Sequence, residues 1–176
     1  SSNIEGNPVD LDSYMRYVES GKKYENKSLF EIECLTNAYE FAKTSALTLE
    51  NLLNVHGIYA ISLNIKEYDI GAIRKDEVGV YRIKIGEKAK RIYSAASKKI
   101  VQDEVKKMFD DVASLKKQSL SMDETFYFAS LLHLVFVKIH PFTDGNGRAG
   151  RLLEKWFLAH HLGPTAWHIR SELNYW

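Results

Sequence analysis

The sequence predicts an all-α, mainly helical fold carrying one small β-hairpin, and three observations predict it. Apolar residues recur at three- and four-residue spacings along most of the chain. Ser-x-x-Glu start signals stand before two of the apolar runs. Only one stretch, Val78 to Tyr93, changes to β-branched and aromatic residues. With 176 residues, 45% of them hydrophobic, the chain fills one core and is short for two, so residues 1–176 read as a single domain.

Taken in order, Leu11 to Ser20 predicts a short helix closed by Gly21. Ser28 and Glu31 have the spacing of a capping box, followed by an apolar stripe of Phe30, Cys34, Leu35, Ala38 and Phe41 or Ala42. Thr48 is placed to cap a helix whose apolar face carries Leu52, Leu53 and Val55. Ser97 to Leu115 reads as helix, with Ile100, Val101, Val105, Met108 and Phe109 in register. Ser121 and Glu124 form a second capping box before an apolar helix, Thr125 to Ile139. Arg148 to His161 continues as helix until Gly163 and Pro164 stop it. The exception is residues 78–93, where Val78, Val80, Ile83 and Ile85, then Ile92 and Tyr93, flank Gly86 to Lys90 as a hairpin. An isolated hairpin is marginal in water, so it must lean on the helices or on something it binds.

Composition removes several classes of function. The 24 basic and 23 acidic side chains leave a formal net charge of +1, so there is no broad basic field for nucleic acid. Cys34 is the only cysteine, which excludes an intrachain disulfide and a cysteine-rich zinc site. No apolar run reaches the roughly 18 residues that span a bilayer. Ser1 to Asp12 is polar and lacks the apolar segment of a signal peptide. These features predict a cytoplasmic protein with no membrane partner, although the chain opens on Ser1 rather than Met. Ten glycines and three prolines argue against long disordered linkers.

The chemistry concentrates in residues 140–151, His-Pro-Phe-Thr-Asp-Gly-Asn-Gly-Arg-Ala-Gly-Arg, between two of the most apolar helices. Gly145 and Gly147 let backbone N–H groups approach a ligand closely. They stand at a helix start, where about four N–H donors lack partners and the dipole is positive, a position that suits phosphate. Arg148 and Arg151, three residues apart, leave the helix on one face and reach the same polyphosphate. Two arginines there oppose the helix dipole, which itself points to a bound anion. Asp144 offers a hard oxygen ligand of the kind Mg²⁺ requires. His140, titrating near neutral pH at the loop entrance, is placed to take a proton from an attacking hydroxyl.

Residues 140–151 match HPFx(D/E)GNGRxxR, the signature of Fic-domain proteins, at every specified position, and by this the chain resembles that family. The resemblance continues through Leu131-Leu132-His133 to Ile139, through Leu152-Leu153, over Leu47 to His56, and at Gly79-Val80-Tyr81-Arg82, which looks like the start of the family's flap hairpin. It implies a Fic fold and a protein adenylyltransferase that moves AMP from ATP to a Ser, Thr or Tyr hydroxyl of a target protein or of itself. His140 would be the general base. Asp144 would hold Mg²⁺ (or Mn²⁺) between the α- and β-phosphates. Gly145, Asn146 and Gly147 would line the anion hole, with Asn146 near the α-phosphate, while Arg148 and Arg151 would clamp the β- and γ-phosphates. The kinase-like branch of the family carries Lys where this chain has Gly147, so the chain does not match that branch. The flap would dock the target by strand addition. The segment after it, Ser94 to Ser97, lacks the prolines often found in relatives.

The same resemblance implies a brake. Ser1-Ser2-Asn3-Ile4-Glu5-Gly6 looks like the inhibitory motif (S/T)xxxE(G/N), within residues 1–10, in which Ser1, Glu5 and Gly6 hold the specified places. Glu5 would pair with Arg151 and deny it to the γ-phosphate; because such a glutamate can also position water, removal of AMP is a second activity in view. Tyr175, near the C-terminus, falls where relatives contact adenine. Transfer of UMP or phosphocholine through the same loop, or a nucleotide-sensing binding module, are the alternatives; the intact His140 argues against a mere sensor. Homo-oligomerisation is left open.

Overall fold

The computed structural model of the protein describes residues 19–20, 27–82 and 90–169. Five long helices appear among the described residues: α1 Lys27–Thr44, α2 Leu49–Ala60, α3 Val101–Leu115, α4 Met122–Ile139 and α5 Asn146–Leu162. One antiparallel pair, β1 Gly79–Arg82 and β2 Lys90–Ser94, stands between α2 and α3. The mainly helical reading with a single hairpin is therefore correct. Glu19 and Ser20 are helical, as expected of the end of the first predicted helix, and the rest of that helix lies outside the described residues.

The helices start where local hydrogen bonding stops competing with them. Thr48 accepts the Asn51 N–H at 3.2 Å and caps α2. Ser121 and Glu124 form a reciprocal capping box, with the Ser121 hydroxyl accepting Glu124 N–H and the Glu124 carboxylate accepting Ser121 N–H. The helix begins directly after that cap, three residues before Thr125. Ser28, by contrast, already lies inside α1, and the Glu31 expected to complete its capping box is used elsewhere. The segment before α3 is a turn, Lys98 to Ile100, so helix starts at Val101; Ile100 is 47% exposed instead of joining the stripe.

The core lies where these stripes meet. Leu29, Cys34, Leu35, Ala38 and Ala42 of α1 are buried, with Phe30 and Phe41 at its margin. α5 is buried on most of its circumference, from Ala149 through Leu158, which makes it the central helix. Its most extensive contact is with α4. Gly150 permits that approach, since a Cβ there would meet Val137 Cγ2 at 3.2 Å. The buried His133 and Glu154 side chains meet across the same interface at 2.8 Å.

The hairpin pairs Gly79 with Ser94, Val80 with Tyr93, Tyr81 with Arg91 and Arg82 with Lys90. The register shifts between Val80 and Tyr81, leaving one extra residue on β2, a bulge. Val78 precedes the first strand; Ile83 and Ile85 lie outside the described residues.

Candidate active site

The site forms where α4 ends, and Pro141 explains how it ends. A helical carbonyl normally accepts the N–H four residues on, but Pro141 has none, so the Val137 carbonyl is left open. His140 turns back onto it: its backbone adopts φ 57°, ψ 61°, the left-handed region, and its Nδ1 lies 3.2 Å from Val137 O. His140 is the only described non-glycine residue with positive φ, a conformation that costs about 1–2 kcal/mol. Strain of this kind persists where neighbours over-determine it. A carbonyl only accepts, so in this contact Nδ1 carries the hydrogen and Nε2 keeps its lone pair. The Tyr93 hydroxyl donates to the same carbonyl at 2.9 Å and lies 3.4 Å from Nδ1. Burial, with a smaller contribution from the Arg74 charge, lowers the His140 pKa, against the Val137 hydrogen bond and Asp144, which raise it. The imidazole is therefore neutral at pH 7, with Nε2 unbonded among the described residues.

The loop beyond it is braced from α2. Phe142 is fully buried and stacks on His56, ring centroids 3.8 Å apart at 11°. His56 accepts the Gly71 N–H on Nδ1 at 2.9 Å, which leaves Nε2–H to meet the Asp144 carbonyl at 3.2 Å. One turn on, the Tyr59 hydroxyl donates to the Gly145 carbonyl at 2.8 Å. With both carbonyls drawn toward α2, the amides of the loop are turned the other way. Burial pushes the His56 pKa down to about 4, so this ring stays neutral too.

Gly145 is the N-cap of α5, at φ 80°. A Cβ there would meet Tyr59 Cε2 at 2.7 Å, so both the backbone and the space require glycine. The helix thus starts at Asn146, two residues before the predicted Arg148, which brings Asn146, Gly147 and Arg148 into its first turn, where amides lack intrahelical acceptors. The Asn146 side chain braces the loop. Its Oδ1 accepts Phe142 N–H at 2.9 Å and its Nδ2 donates to Phe142 O at 2.8 Å, closing the loop on itself. That leaves the Asn146 backbone N–H and the second Nδ2 hydrogen as donors. Asp144 is exposed; one carboxylate oxygen accepts the Gly145 N–H at 2.6 Å.

Both arginines follow in the first turns of α5. Arg151 is buried, 8% exposed. Arg148 meets an anion, as its unfavourable position on the helix dipole predicts, and that anion is the carboxylate of Glu31 on α1. Its Nε and Nη1 are buried without partners among the described residues. Such orphaned donors are costly unless something accepts from them.

The structure thus brings His140, Asp144, Gly145, Asn146, Gly147, Arg148 and Arg151 into one loop and helix start. Ser1, Glu5, Gly6 and Tyr175 lie outside the described residues. Sequence reasoning missed His56, Tyr59, Arg74, Tyr93 and the true partner of Glu31. Their partners at the end of α4, in the loop and on α5 lie between 44 and 117 residues away, as in Tyr93–Val137 and Glu31–Arg148, where no spacing rule reaches. The one signal was polar residues on an otherwise apolar face, His56 beside Leu52 and Val55.

Known proteins resemble this chain in sequence and in fold. The protein adenylyltransferase fic-1 of Caenorhabditis elegans is 29% identical over 160 residues, covering 85% of this chain and 28% of the relative. The protein adenylyltransferase Fic of Nematostella vectensis is 29% identical over 167 residues, covering 87% of this chain and 34% of its own length. The chain thus spans about a third or less of these curated relatives. Among solved structures, a Fic domain containing signaling protein from Bacteroides thetaiotaomicron superimposes with TM-score 0.71 at 24% identity, over 92% of this chain and 60% of the other. A fragment of Fic-1 from C. elegans gives TM-score 0.66 at 22% identity, over 90% of this chain and 45% of the other. Residues 46–158, well over half the sequence, match the Fic/DOC family, and the chain belongs to it.

Proposed function

We propose that this chain transfers AMP from ATP to a hydroxyl of a protein, its own or a target's. The observation that carries the reading is the His140 ring, whose Nδ1–H is committed to Val137 O while Nε2 keeps a free lone pair, six residues ahead of the start of α5. Named adenylyltransferases among the relatives support the same chemistry. In the proposed step the target hydroxyl gives its proton to Nε2 as its oxygen bonds to the α-phosphorus. The bond to the bridging oxygen breaks and pyrophosphate leaves. The α5 amides receive the phosphate oxygens, and Arg148 and Arg151 hold the β- and γ-phosphates, so the protein works by positioning and charge stabilisation.

Asp144 fits a divalent cation of the Mg²⁺ or Mn²⁺ type. No group of three acidic, His or Cys side chains gathers among the described residues, so such an ion would be shared between this one exposed carboxylate and the phosphates. When bound it neutralises phosphate charge. Arg148 must share or exchange Glu31 for phosphate, and its two orphaned donors are suited to that. The hairpin between α2 and α3 is the proposed docking edge for the target, by strand addition. Glu5 is the proposed brake on Arg151, on the strength of the Ser1 to Gly6 motif. Among the described residues no helix is long and apolar enough to cross a membrane.

The test is incubation with ATP labelled at the α-phosphate, comparing the parent, Glu5→Gly, and Glu5→Gly with His140→Ala. Label should rise with the first change and vanish with the second, and mass spectrometry should find an added AMP. An added UMP or phosphocholine from the matching donor, with none from ATP, would overturn the assignment. Equal labelling of parent and Glu5→Gly would remove the brake.

A further inference from the structure

We propose that Arg74 is the positioning residue of the site, a single buried side chain that locks both legs of the hairpin to the catalytic histidine. The proposal rests on the AMP-transfer reading above. Arg74 is 2% exposed and lies outside residues 140–151 in sequence. Its Nε donates to the His140 carbonyl at 2.6 Å. Its Nη1 donates to Asp76 O at 2.7 Å, on the leg that leads into β1. Its Nη2 donates to Ala96 O, on the leg that leaves β2, and to Ile139 O at 3.3 Å. The Arg74 backbone N–H adds a bond to Pro141 O at 2.9 Å, and the Ala96 N–H one to Ile139 O at 3.3 Å.

Three segments far apart in sequence therefore meet on one guanidinium. A helix ends with carbonyls that lack partners and with the negative end of its dipole, and a cation there meets both needs. The Ile139 and His140 carbonyls are of this kind, and the planar fork of Arg reaches them and both hairpin legs at once, which a Lys ammonium cannot. The contact to His140 falls on the one described non-glycine residue with left-handed backbone, so it fixes the turn that aims the imidazole. Its charge adds to burial in keeping the ring neutral. A target strand laid on the hairpin is thereby held at a set distance from Nε2, and misplacement by an ångström at this step costs rate far more than binding.

The test compares Arg74→Lys and Arg74→Met in the Glu5→Gly chain. Single-turnover AMP transfer at saturating ATP is measured alongside ATP affinity and backbone amide exchange at Ala96. Arg74→Lys should lose at least about ten-fold in rate while ATP affinity stays within about two-fold, because the amides and arginines of α5 are untouched; the scale follows from the sensitivity of reaction to alignment. Ala96 exchange should quicken in the same variant. Arg74→Met should be slower still, and if it fails to fold, Arg74→Lys carries the test. A rate within two-fold of the parent with unchanged Ala96 exchange overturns the proposal, as does a rate loss matched by an equal loss of ATP affinity, which marks a merely structural residue. A Glu5→Gly parent that transfers nothing overturns the AMP-transfer reading and the proposal with it. An active parent equalled by Arg74→Lys overturns the proposal alone.

Discussion

His56 and His140 grip the same loop from opposite ends, and the difference between them is why His140, and not His56, is the proposed base. Both are largely withdrawn from water, and both are held neutral by burial. His56 has each nitrogen spent, one accepting from Gly71 and the other meeting Asp144 O, and its face is covered by Phe142. His140 is tied on one side only, through Nδ1, and pays for that posture with a strained backbone. Burial alone therefore does not single out His140. Its free lone pair, with the opposite nitrogen fixed, is what the proposed role rests on.

The largest effect should come from His140→Ala, which removes that lone pair. Loss of a general base lowers the rate of AMP transfer by about 10²–10⁴-fold, and thermal unfolding should change little, because Ala keeps the Cβ and the left-handed turn while Tyr93 still donates to Val137 O. A comparable rate in the variant would break the contrast outright. His56→Ala should show the reverse order of effects. The stack on Phe142 and two hydrogen bonds are lost, and unfolding free energy should fall by about 3 kcal/mol in denaturant titration. Activity would fall only as far as the loop slackens.

Acid sharpens the same distinction. The folded His56 pKa, about 4, lies below its ordinary value of 6.5. Between those values the unfolded chain binds a proton that the folded chain refuses, so the contribution is intact above pH 6.5 and is lost as pH falls toward 4. The loss is on the order of 3 kcal/mol, read as the difference between parent and His56→Gln in chelator-treated protein. Equal pH slopes in the two proteins would show that His56 is already charged in the fold. Tyr59→Phe is a smaller perturbation: the Gly145 carbonyl loses one donor, worth about 1 kcal/mol. Its measurement is the same titration, with the ring left in place beside Gly145.

How much of this was legible in the sequence follows from where each partner lies. The loop could be read because its chemistry is contiguous: base, acid, glycines and arginines fall within residues 140–151, and the capping box at Ser121 announces the helix that delivers them. The helices were legible from apolar spacing, but their ends were less so. α5 starts at Asn146 because Gly145 adopts a left-handed cap, a conformational fact that composition only permits. Ser28 and Glu31 have the spacing of a capping box, yet Ser28 already lies inside α1 and Glu31 pairs with the half-buried Arg148. Arg74 had no legible role at all, since its acceptors are backbone carbonyls, and every residue has one.

Tyr93→Phe should give the smallest effect and is the most informative about the hairpin. The Tyr93 hydroxyl donates to Val137 O, the carbonyl that also holds His140 Nδ1. Removing it leaves no buried polar atom stranded, because the imidazole still satisfies that carbonyl, so stability should change by only about 0.5–1.5 kcal/mol. The ring itself stays, with Lys138 Nζ 4.8 Å from its centroid. Held by Val137 alone, His140 gains some freedom to swing, and AMP transfer should slow by a few-fold with ATP affinity unchanged. A loss as deep as that of His140→Ala would mean that the phenol takes part in proton transfer. The base would then be a pair spanning α4 and the hairpin, and one free nitrogen would no longer be what separates His140 from His56.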